Sequence, residues 1–91
     1  MAAAADTAIA LTNSLSGNDN HMKHILIIDD DDNVRAAFME ALACPDYHVY
    51  EAKSGLAGLE SVMAQRPDLV FLDLKMPGMN GAETLARLRE I

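Results

Sequence analysis

The chain has 91 residues, room for one small domain, and 51% of them are apolar, enough to build a core. Seven basic residues against fourteen acidic ones give a formal charge of -7; this excludes the Lys/Arg stripe of a nucleic-acid backbone binder and suits a cation or a basic partner surface. Cys44 is the single cysteine, so an internal disulfide and a cysteine-based zinc site are both excluded, and no apolar run approaches the roughly eighteen residues of a membrane span.

Residues 1–22 read as a flexible tail. Alanine favours weak helix over residues 2–5 and 7–15, while Asp6 and the lack of a positive start argue against a secretory signal. Asn13, Ser14 and residues 16–20 read as linker. Residues 24–28 then form a strand. Ile25, Leu26, Ile27 and Ile28 are consecutive, apolar and mostly β-branched, the pattern of burial on both faces. The strand ends in Asp29-Asp30-Asp31-Asp32, and a helix starts at once, with Val34, Ala37, Phe38, Ala41 and Leu42 inward. Asp32 is the expected N-cap, and Pro45 the stop.

Residues 47–52 mix polar and apolar side chains, as an edge strand does. Ser54-Gly55 opens a second helix with Leu56, Leu59, Val62 and Met63 inward, and Pro67 closes it. Residues 69–72 are a short buried strand ending at Asp73. In the loop that follows, Pro77 and Gly78 read as turn residues and Met76 and Met79 as core filler. Asn80 and Glu83 have the spacing of a capping box for a third helix, with Leu85, Leu88 and Ile91 on its inner stripe. The order βαβαβα implies a parallel sheet with right-handed crossovers.

In such a sheet the first and third strands can lie side by side with their carboxyl ends together. Asp29 and Asp30 then stand beside Asp73. Three carboxylates at one rim repel one another, and a divalent cation removes that penalty. Magnesium suits such a site, since it takes oxygen ligands and few carboxylates. An aspartate beside it can attack phosphorus and form an acyl phosphate. Asp31 is expected to be solvated beside the helix start.

Residues 25–35 and 67–81 resemble the receiver domain of two-component response regulators, and the resemblance runs over about residues 23–91. It implies a flavodoxin-like, doubly wound α/β parallel sheet, here cut to βαβαβα. It implies Asp73 as the aspartate phosphorylated by a histidine kinase or phosphotransfer protein, Asp29, Asp30 and Asp73 itself as magnesium ligands, and Lys75 as the donor of a backbone carbonyl to the metal. It further implies a cytoplasmic phosphorelay module rather than an enzyme. Family members continue into a fourth strand with a Ser or Thr and a fifth with a Lys. Neither Thr84, inside the third helix, nor Lys53, after the edge strand, matches those places. The matching stretch therefore looks like the first three of five β/α units. Its third strand is expected to be an exposed edge, inviting marginal stability or self-association through that edge.

Three other readings compete. Asp30-Asp31-Asp32-Asn33-Val34 fits the start of haloacid dehalogenase-type phosphatases, also magnesium-dependent, with Asp30 as nucleophile; it leaves the third strand and its loop unexplained. Asp29, Asp31, Asn33 and Glu40 have a calcium-loop spacing, but Val34 stands where glycine is required. The third is a receiver-like interaction module that is never phosphorylated.

Overall fold

The elements of the computed structural model run β1 (Ala8–Thr12), β2 (Lys23–Ile28), α1 (Asp32–Ala41), β3 (Tyr47–Ala52), α2 (Gly55–Gln65), β4 (Leu69–Asp73) and α3 (Gly81–Leu88). The described residues are 8–12, 22–75 and 81–90. The expected turn at Pro77 and Gly78, the packing of Met76, Met79 and Ile91, the capping role of Asn80 and the linker over 13–20 lie outside them.

Four strands form one sheet in the order β1-β4-β2-β3. β2 pairs in parallel with both β3 and β4, in registers that include Ile28↔Ala52 and Ile28↔Leu72. The three β/α units thus make the flavodoxin-like arrangement expected, with the first strand between the other two. Ile25, Leu26, Ile27 and Ile28 are all buried, as a central strand covered on both faces requires. Leu26 and Ile28 join Ala52, Val70 and Leu72 in the main core, against which Val62, Leu85 and Leu88 of α2 and α3 pack.

The N-terminal segment departs from expectation. Residues 8–12 are a strand rather than weak helix, paired antiparallel to β4. Alanine's helix preference is a few tenths of a kcal/mol per residue over most residues. A five-residue helix has no cooperativity to use it, whereas β4 offers a ready ladder. The period-two sequence Ala-Ile-Ala-Leu-Thr suits that ladder. The outer edge of β4 is therefore covered, not open as expected.

α2 also turns a different face inward. Leu56 and Met63, expected inside, are 58% and 65% exposed, while Gly55, Gly58 and Leu59 are buried. Gly58 lets the helix backbone approach the sheet closely, and the close approach, not the largest side chains, sets the face. A Cβ built on Gly58 would lie 2.4 Å from Ile28 Cδ1. On the opposite face α1 buries none of its residues. Phe38 packs on Phe71 with ring centroids 5.0 Å apart, and Val34, Ala37, Phe38 and Ala41 line an open apolar groove. One helix covers that face among the described residues, so its flank stays in contact with water.

Gly58→Ala gains up to about 1 kcal/mol of helix propensity but overpacks Ile28, which costs about 1–3 kcal/mol. A net loss is expected in urea melts. In the Ile28→Val background, which removes the nearest methyl, the same change should cost less; an equal cost in both backgrounds would contradict this packing.

Candidate metal centre

Both acidic strand tips reach the same rim. β2 and β4 are parallel neighbours, so their carboxyl ends arrive together. Asp29 and Asp73 are half-buried there and Asp30 is exposed. One carboxylate oxygen from each of Asp29, Asp30 and Asp73 lies within 4.8 Å of the others. Magnesium binds oxygen at about 2.1 Å, so opposite ligands stand about 4.2 Å apart. The cluster fits that ion with small side-chain adjustment, and its all-oxygen donors match the ion's preference.

The chain orients these groups through backbone donors. The N–H of Asp31 donates to Asp29 Oδ1 at 2.9 Å. The N–H of Lys75 donates to Asp73 Oδ1 at 3.0 Å. Each tip carboxylate is thus bonded two residues ahead, which tightens the turn leaving its strand. Asp29 N–H continues the ladder to Ala52 O at 3.0 Å. Lys75 is exposed, and its N–H serves Asp73.

The run of four aspartates divides its work differently from expectation in one respect. Asp31, not Asp32, is the N-cap of α1, accepting from the N–H groups of Asn33 at 2.8 Å and Val34 at 3.3 Å. Asp32 is the first helical residue and pairs with Arg35. The four side chains are alike, so the cap falls wherever the strand releases the chain.

Two residues that shape the rim were not singled out by pattern. Arg35 donates through Nη1 to the carbonyl of Asp29 at 2.8 Å and through Nε to Glu51 Oε1 at 2.9 Å. Its bond to Glu51 first, and then that to Asp32, hold its guanidinium still more firmly in the charged form against the opposing effect of burial. It brings a cation to the back of the acidic rim and ties Asp29 to β3. Gly81 is the second. A Cβ there would lie 2.0 Å from Leu74 Cα and 2.6 Å from Asp73 O. Only glycine lets α3 start against the end of β4, with Gly81 N–H bonded to Leu74 O at 3.3 Å. Arg35 carries a local signal only for Asp32, three residues earlier on the same helix; its bonds to the Asp29 carbonyl and to Glu51 of β3 depend on the fold. Gly81 follows the loop after Asp73 and is readable as a glycine that permits close approach.

Burial first, and then the charges of Asp73, Asp30 and Asp31, hold the Asp29 carboxyl above its ordinary value, with the Asp31 N–H opposing them. Folded Asp29 therefore binds its proton more tightly than unfolded Asp29. Its contribution favours folding below the unfolded value and is lost as pH rises through the folded one. Asp29→Asn removes the charge and keeps an acceptor for Asp31. In chelator, the variant should melt above the parent at neutral pH, with the gap shrinking as pH falls toward about 4. A gap independent of pH would contradict this account.

Residues 25–91 match the response regulator receiver domain model. The chain is 43% identical over 67 residues to sporulation initiation phosphotransferase F of Bacillus subtilis (strain 168), covering 74% of this chain and 54% of that protein. It is 47% identical over 68 residues to the nitrate/nitrite response regulator protein NarL of Escherichia coli (strain K12), covering 72% of this chain and 32% of that one. It is 40% identical over 67 residues to the transcriptional regulatory protein CseB of Streptomyces coelicolor, covering 74% and 29%. The chain thus spans about half the length of the first relative and about a third of the other two.

Proposed function

The chain belongs to the response regulator receiver domain family, and from that premise we propose that Asp73 is its phosphoacceptor, with Asp29 and Asp30 holding a magnesium ion beside it. The observation that carries this reading is the convergence of the three carboxylates within 4.8 Å at the carboxyl rim of β2 and β4. The donor is a histidine kinase or a phosphotransfer protein, and the setting is cytoplasmic signalling. Among the described residues no helix is long and apolar enough to cross a membrane, which is compatible with that setting.

The chain's own groups divide the work. Lys75 N–H holds Asp73 Oδ1 and fixes the carboxylate plane. A carboxylate oxygen of Asp73 attacks phosphorus, the bond from phosphorus to the donor's imidazole nitrogen breaks, and the released imidazole takes up a proton. Bound at the rim, magnesium supplies charge neutralisation for the transferred phosphoryl group. Asp29 and Asp30 would hold that ion at the strand tip, and Lys75 would offer it a backbone carbonyl. The half-buried setting of Asp73 strengthens these electrostatic interactions relative to bulk water. The product is an acyl phosphate on a signalling domain; no turnover of a separate substrate is involved.

Incubation with a small phosphodonor and magnesium, read by intact mass, tests the assignment. The parent should gain one phosphoryl group and Asp73→Asn none, while Asp73→Asn still binds magnesium through Asp29 and Asp30. Equal labelling of the variant would refute Asp73 as acceptor.

A further inference from the structure

Among the described strands, β1 and β3 are the two edges of the sheet. They are guarded differently. β3 carries Glu51, whose carboxylate accepts from Arg35 Nε at 2.9 Å, and a charged edge strand discourages pairing with another chain. β1 reads Ala-Ile-Ala-Leu-Thr, with no charge, no proline and no glycine. Its hydrogen-bonding direction follows from the registers. Asp29 N–H bonds Ala52 O of β3, so by alternation Ile28 turns its backbone groups toward β4. In a parallel pair a residue bonds the two neighbours of its register partner. Ile28 is in register with Leu72, which directs Asp73 and Phe71 to β2 and leaves Leu72 and Val70 facing β1. Their partners Ile9 and Leu11 therefore make the bonds between β1 and β4, and the N–H and C=O groups of Ala8, Ala10 and Thr12 point away from the sheet.

We propose that this free edge is a self-association surface, on which a second copy of the chain adds its own β1, antiparallel, about a two-fold axis at Ala10. In that register Ala10 pairs with Ala10 of the second copy, and Ala8 with its Thr12, so every outward donor meets an outward acceptor. Strand addition to a sheet edge draws its affinity from main-chain bonds of this kind. Charge favours the same arrangement. Each copy has a formal charge of -7, and an uncharged strand lets two such chains meet without like charges directly opposite each other. Ala8 lies beside Asp73, and Thr12 beside Leu69 at the other end of β4. Antiparallel addition therefore sends the two acidic rims to opposite ends of the joined sheet, whereas parallel addition would bring them side by side. The five residues of β1 are far below the about 20–30 a side of a stable interface, so the dimer is weak and forms at high concentration. The surface is separate from the acidic rim, and the inference stands whether or not Asp73 accepts a phosphoryl group.

Two measurements on the full chain test this. Sedimentation over a range of concentrations should show the mean mass rising from 9.8 kDa toward twice that value. Ala10→Pro removes an N–H that points outward and none that bonds β4, a place where an edge strand tolerates proline. The variant should keep the parent's melt at low concentration and associate about tenfold more weakly or worse, because the two-fold axis removes the bond from both copies. The second measurement is amide exchange in the parent. Raising the concentration should slow exchange at Ala8, Ala10 and Thr12, whose N–H groups are open in the monomer, more than at Ile9 and Leu11. A chain that stays monomeric at every concentration overturns the proposal. So does association that Ala10→Pro leaves unchanged, or added protection that falls on Tyr47, Val49 and Glu51 of the β3 edge instead. The exchange pattern tests the proposal even if the proline variant fails to fold.

Discussion

Asp29, Asp30 and Asp73 repel one another at the carboxyl rim of two parallel strands, and the fold neither separates nor neutralises them among its described residues. Parallel pairing of β2 with β4 forces the tips to the same side. Burial of the strand ends then raises the cost, which is why the Asp29 carboxyl is held above its ordinary value. The structure answers with oriented dipoles: backbone N–H groups from Asp31 and Lys75, one for each half-buried carboxylate. The nearest organised cation, Arg35, is already shared among Asp32, Glu51 and the Asp29 carbonyl. It stabilises the back of the rim and leaves the front net negative. Such a site stores an unfavourable interaction that a bound divalent ion would relieve, and the proposed phosphoryl acceptance at Asp73 would draw on that relief.

Around this rim the packing is asymmetric. On one face α2 and α3 close on Leu26, Ile28, Val70 and Leu72. Gly58 admits the α2 backbone there, and Gly81 admits α3 at the end of β4. On the other face α1 stands alone among the described helices and buries none of its residues. Stability is thus concentrated in the centre and on one side, while the rim and the α1 face are left with few apolar contacts. Low local contact density of this kind is where conformational change is cheapest.

The strands that flank the site were legible because their signal is compositional. Two short, continuous apolar runs, residues 25–28 and 69–72, each stop at an aspartate, and alternation with helical patterns dictates parallel pairing. The pairing then dictates the acidic rim. What escaped the sequence depends on partners far along the chain. Five residues of Ala-Ile-Ala-Leu-Thr become a strand only because β4 has a free edge to offer. Leu56 and Met63 look like core, yet the close approach of Gly58 to Ile28 decides how α2 sits. Asp31 rather than Asp32 caps α1 because the strand lets go of the chain one residue earlier than the spacing of apolar residues suggests. Arg35 shows locally its pairing with Asp32 three residues back, but not its bonds to Glu51 and the Asp29 carbonyl.

The most direct test of the shared acidic rim is a titration with manganese, a paramagnetic ion of similar oxygen preference, followed by amide resonances of the full chain. Broadening should begin together at residues 28–31 and 72–75 and be reversed by excess magnesium. Broadening that starts elsewhere, such as around His24 and His48, or that reaches one strand tip without the other, would contradict a common site.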